Sequence, residues 1–165
     1  MKKAVLAAAA TVVLVPAIVA GVAFAGGAHH DATARLDGYQ ETPAVSTEAT
    51  GRFTADIDKD SIEYRLTFSD LSDDVLFAHI HFGRRATAGG VSAFLCGGGT
   101  APACPQSGAV EGVITAADVI GPDGQGIAPE EFDELVAAIE AGATYANVHS
   151  VTFPAGEIRG QIRLS

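Results

Sequence analysis

Residues 76–85 read LFAHIHFGRR, with His79 and His81 separated by a single residue. In an extended stretch side chains alternate between faces, so the two imidazoles project from one side about 6.6 Å apart, two residues at ~3.3 Å each. Two neutral imidazoles so placed can close on one metal ion. Leu76, Ala78, Ile80 and Phe82 form an apolar row on the other side, which makes that the core face and sends His79 and His81 outward or into a cleft. A third histidine, His149, lies in TYANVHSV, where it shares a face with Tyr145 and Asn147. If the two segments are neighbours, His149 completes a three-imidazole set of the kind that binds copper or zinc and leaves one coordination position open. The competing reading makes His79 and His81 polar members of an exposed face, with His149 hydrogen-bonded to backbone.

Other chemistries find less support. Asp56, Asp58 and Asp60 imitate the start of a calcium loop, but Ser61 and Thr67 stand where that loop needs a glycine and a bidentate glutamate. The stretch reads as a hairpin turn, and Asp70, Asp73 and Asp74 as a solvated one. There is no G-x-S-x-G elbow, and the glycine run Gly97–Gly99 lacks the Lys-Ser/Thr ending of a phosphate cradle. Carboxylate pairs for glycoside chemistry cannot be assigned among twenty acidic residues without separations. The formal charge of −10 disfavours nucleic acid as a partner and serves solubility.

The elements that must position the histidines are short alternating runs punctuated by Gly, Pro, Asp and Ser, the pattern of an all-β sandwich or barrel. Strands are expected at about 34–40, 51–57, 61–68, 75–82, 91–95, 109–114, 144–151 and 157–164. Thr115 should cap a short turn. Pro129 opens a crossover helix with Phe132, Leu135, Val136 and Ile139 on one face, acidic residues in its first turn and Gly142 at its end. Residues 1–25, with Lys2 and Lys3 before an apolar run and the Ala23-Phe24-Ala25 pattern, read as a secretory signal peptide; 26–33 reads as a flexible tail and 34–165 as one domain. Membrane attachment follows only if the leader stays uncleaved. In an exported chain the pair Cys96 and Cys104 reads as a disulfide closing a small loop.

LDGYQETPAV, EYRLTFSDLSD, AHIHFG, GGVSAFLCGGG and AGATYANVHSVTFPAGEIRGQI together resemble the CHRD domain, the module named after chordin, over about residues 34–164. The resemblance implies an exported β-sandwich that acts as a binding or interaction module. The family's small, glycine-rich turn after Gly83 is replaced here by Arg84-Arg85-Ala86-Thr87. A weaker likeness, to the copper,zinc superoxide dismutases, rests on the His-x-His strand, the later histidine and the disulfide; it implies that His79, His81 and His149 hold copper without a zinc half. The chain is thus expected to be a Greek-key β-sandwich or barrel of about eight strands, an extracellular or periplasmic binding module whose partner is a protein or a copper or zinc ion. The alternatives are a copper-dependent redox enzyme, in which Arg84, Arg85 or Arg159 attracts an anion, and a protein-interaction domain without metal. Oligomeric state is left open.

Overall fold

The computed structural model describes residues 30–165, so the expected leader and His29 lie outside the described residues. Among the described residues nine strands form one antiparallel sheet: β1 His30–Asp37, β2 Thr50–Ile57, β3 Ile62–Ser69, β4 Val75–Phe82, β5 Gly90–Cys96, β6 Gly108–Ile114, β7 Thr144–Ser150, β8 Ile158–Gln161 and β9 Arg163–Leu164. Their order is β5-β4-β7-β8-β1-β2-β3-β6, with β9 pairing β1. The path is a Greek key: β6 returns to pair with β3, and the connection bearing the helix α1, Phe132–Glu140, brings β7 back beside β4.

Alternation builds the barrel core. Ala34, Leu36, Phe53, Ala55, Tyr64 and Leu66 point inward, while the residues between them face water or lie half-covered. The helix buries Phe132, Leu135, Ala138 and Ile139 in the same core, with Val136 only partly covered; Gly142 ends it at a positive φ of 60°. Where β5 and β6 leave the sheet nearly closed, the Tyr64 hydroxyl donates to the Leu95 carbonyl at 2.7 Å, capping an edge group of β5. Gly112 makes room for that phenol, since a Cβ there would lie 2.4 Å from its oxygen. Cys96 and Cys104 are bonded, which ties the 97–103 loop to β5; a closed loop of this size stabilises a fold by roughly 2 to 3 kcal/mol.

Three expectations need correction. The segment read as a tail supplies the start of β1, because His30 to Thr33 pair with Thr54 to Ile57. Leu76 is 38% exposed rather than part of the core row, because the register against β7 slips between Val75 and Phe77. The final strand is broken at Ile162, whose side chain is buried in the core. The Asp58–Ser61 segment is the expected hairpin turn, closed by Asp58 N–H donating to the Ser61 carbonyl at 2.9 Å. The turn at Ala116–Asp118 is held by the Asp118 carboxylate, which accepts from Thr115 N–H and Oγ1.

Candidate metal centre

Strands β4 and β7 are direct neighbours. His79 stands opposite Asn147, His81 opposite Tyr145 and Phe77 opposite His149. Residues opposite one another, or offset by two, share a face of a sheet, so all three histidines project from the side away from the barrel core. They are nevertheless buried, with exposures of 5% for His79, 8% for His81 and 5% for His149. The reason is a set of loops folded over this face, each pinned by a side chain of the sheet beneath. Asn147 Nδ2 donates to Glu41 Oε1 at 2.6 Å, and Arg159 donates to the Arg84 carbonyl at 2.9 Å. Gln161 Nε2 reaches the carbonyls of Gly83, Gly142 and Thr144.

Hydrogen bonding orients two of the rings. His81 Nδ1 donates to the Gly89 carbonyl at 2.9 Å and His149 Nδ1 to the Pro154 carbonyl at 3.1 Å, which leaves the lone pair of each ring on Nε2. His149 Nε2 lies 3.2 Å from His79 Nδ1. His81 Nε2 is buried with no hydrogen-bond partner among the described residues. One ligating atom from each of the three rings falls within 4.8 Å of the others, so the cluster can hold a metal ion. Backbone carbonyls that fix the tautomer of a metal-binding imidazole are the usual supporting shell of such a site. Without an ion, His79 Nδ1 donates its proton to His149 Nε2, and coordination through that nitrogen requires the proton to leave.

The walls are aromatic. Phe77 lies 4.9 Å from the His79 ring and 4.8 Å from His149, Phe94 lies 4.5 Å from His79, and Tyr145 stacks on His81 at 4.8 Å with an interplanar angle of 2°. The guanidinium of Arg159 covers the other face of Tyr145, 3.4 Å from the ring centroid. Gly89 braces both members of the stack, since its N–H donates to the Tyr145 hydroxyl and its carbonyl receives His81. A side chain there would collide with Phe82, a Cβ lying 1.9 Å from its carbonyl oxygen.

This environment keeps the imidazoles neutral. Burial, reinforced by His149 and His81, pushes His79 down to about 3; burial pushes His149 down to about 4 against the opposing bond to Pro154; burial also lowers His81, with Arg159 adding to it against the Gly89 bond. Neutral imidazole is the form that binds metal.

Glu41 went unassigned in the sequence. Burial raises its carboxyl to about 7, against the lowering effects of Asn147, Arg159 and the Thr42 backbone. A raised carboxyl contributes stability that is whole below about 4.5 and is lost as pH climbs through 7. Glu41→Gln, which keeps an oxygen for Asn147, is therefore expected to raise the melting temperature at pH 8 more than at pH 5; equal shifts at both pH values would contradict this. Arg159 is also placed differently from the expected anion guide. It is buried and engaged with Tyr145 and Arg84, whereas Arg84 and Arg85 are exposed on the loop after Gly83.

The fold and site define a class: a nearly closed antiparallel barrel carrying, on its outer face under loops, a buried three-histidine cluster. The CHRD domain family matches residues 32–162, and the chain belongs to that family. No curated protein and no solved structure matches it.

Proposed function

We propose that this chain is an exported CHRD binding module whose polar centre takes up one copper or zinc ion through His79, His81 and His149. The observation that carries the reading is the buried, unpartnered lone pair of His81 Nε2, aimed at a cluster whose other rings are already oriented. An orphaned buried nitrogen costs free energy unless something binds it. The donor set is three neutral imidazoles, which suits copper and zinc better than the oxygen-seeking calcium or magnesium. Three protein ligands also leave room for a further one from solvent or a partner. Export is supported by the leader-like residues 1–25 and by the disulfide, a bond that persists in oxidising compartments. Among the described residues no helix is long and apolar enough to cross a membrane.

The test is equilibrium titration of the metal-free protein with copper and with zinc, read by elemental analysis after gel filtration. One ion retained per chain is the expected result. Retention of neither metal would leave a protein-interaction domain without metal. Should copper be retained, superoxide consumption faster than in buffer with the same copper would move the reading from carrier to redox enzyme.

A further inference from the structure

We propose that the outer face of β9, β1, β2 and β3 binds a linear anionic polysaccharide along a stripe of Arg163, Arg35, Arg52 and Arg65. The pairing register draws the stripe. Arg35 stands directly opposite Arg52; Arg163 faces Thr33 and is thus diagonal to Arg35; Arg65 faces Thr54 and is diagonal to Arg52. All four side chains are exposed; Arg35 and Arg65 each stand between two buried neighbours, Arg52 precedes buried Phe53 and Arg163 follows buried Ile162, so they share the solvent side of the sheet. Four of the seven arginines of an acidic chain are gathered here.

Like charges set directly across a strand pair destabilise a sheet, and this pair is not neutralised. Among the described residues Arg65 pairs with Glu111, whereas Arg35, Arg52 and Arg163 have no carboxylate at ion-pair distance. Nearby Asp37 is committed to Gln40, whose backbone N–H and side-chain amide it accepts. The unrelieved cross-strand pair Arg35–Arg52 is a cost to folding that an anionic ligand removes.

The shape and chemistry of the surface choose among anions. Arg35, Arg52 and Arg65 border an open hollow of about 840 Å³ whose other lining residues include Asp37, Thr50, Thr67, Ser69 and Ser107. Guanidinium groups bind carboxylate or sulfate in a bidentate fork, and the hydroxyls between them match those of a sugar. Neighbouring positions on the stripe are about 5 to 8 Å apart at Cβ, a spacing that a polymer with one anion per sugar unit meets within the reach of an arginine. Single-stranded nucleic acid is disfavoured because it needs exposed aromatic platforms, and the aromatic residue at this hollow, Phe68, is buried in the core. One register row beyond Arg65, Asp31 and Glu63 line the adjoining hollow and would repel the polymer, holding it to the arginine end, while Glu111 stands opposite Arg65 and pairs with it.

The experiment is binding of the purified full chain to polygalacturonate at 50 mM and 150 mM salt, with neutral dextran and a single-stranded oligonucleotide as comparators. Binding that weakens with salt and is absent for dextran is expected. Arg35→Ser with Arg52→Ser should weaken it at least tenfold while melting no lower than the parent, because the repulsion is relieved. Arg84→Ser with Arg85→Ser carries the same change of charge elsewhere and should stay within twofold. The proposal is overturned by no binding of polygalacturonate at 50 mM salt, by equal losses in the two double variants, or by an oligonucleotide that binds as tightly. The stripe is independent of the histidine cluster, so it stands or falls apart from the metal reading.

Discussion

His149→Ala is expected to lower the affinity for copper and for zinc by more than a hundredfold while the barrel stays folded. The expectation rests on where the ring sits. His149 comes from β7 and the other two imidazoles from β4, so its removal leaves a pair on one strand with no donor from the neighbour. Loss of a supporting contact to a metal ligand typically costs 10- to 100-fold; loss of one ligand of three should exceed that. The fold is expected to survive because Val148 and Ala146, on the opposite face of the same strand, remain in the core. Calorimetric titration of the metal-free variant beside the parent checks it. Parent-like affinity with an intact melting transition would exclude His149 from the metal site.

The second large effect is acid lability of the metal-free protein. Unfolded histidine titrates near 6.5, whereas His79 and His149 in the fold take a proton only at about 3 and about 4. Between those limits the unfolded chain binds more protons than the native one, so stability is whole above about 6.5 and falls as pH drops toward 4. For His79 alone the loss by pH 4 is on the order of 3 kcal/mol, at ~1.4 kcal/mol per pH unit. Glu41 works in the opposite sense between its ordinary 4.5 and about 7, but as one carboxyl against three lowered imidazoles it blunts the slope rather than reverses it. Urea unfolding at pH 7.5, 6, 5 and 4 is the check, with His79→Leu flattening the dependence. A metal-free protein equally stable across that range would mean that the rings are hydrated rather than enclosed.

Much of the barrel was legible because most of its strands bury one face only. The alternation through Phe53, Ala55 and Ile57, or Ile62, Tyr64 and Leu66, marks the core side without ambiguity. That signal fails at β8, where every residue of Ile158–Gln161 is buried, the core covering one side and the loops the other. It also fails at Leu76, where a slip in register moves one residue out of a row that is continuous in sequence. At His30–Thr33 polar side chains suggested a tail, but strand pairing is made by backbone and tolerates them.

The site was legible in type but not in place. A His-x-His pair on a strand and a later strand histidine indicate imidazole chemistry from spacing alone. Their convergence depends on β7 lying beside β4, and that adjacency is created by a long connection through α1 that no local pattern encodes. The enclosure was less visible still. Phe94 is an ordinary β5 residue and Glu41 an ordinary loop carboxylate until the barrel closes and the 38–49 loop folds onto Asn147.

Absorption fine structure at the copper or zinc edge of the singly loaded protein tests the arrangement most directly. Three imidazole nitrogens at about 2.0–2.1 Å should surround the metal, falling to two in His149→Ala. A shell built from oxygen donors, or one unchanged by that substitution, would show that the ion binds somewhere else on the molecule.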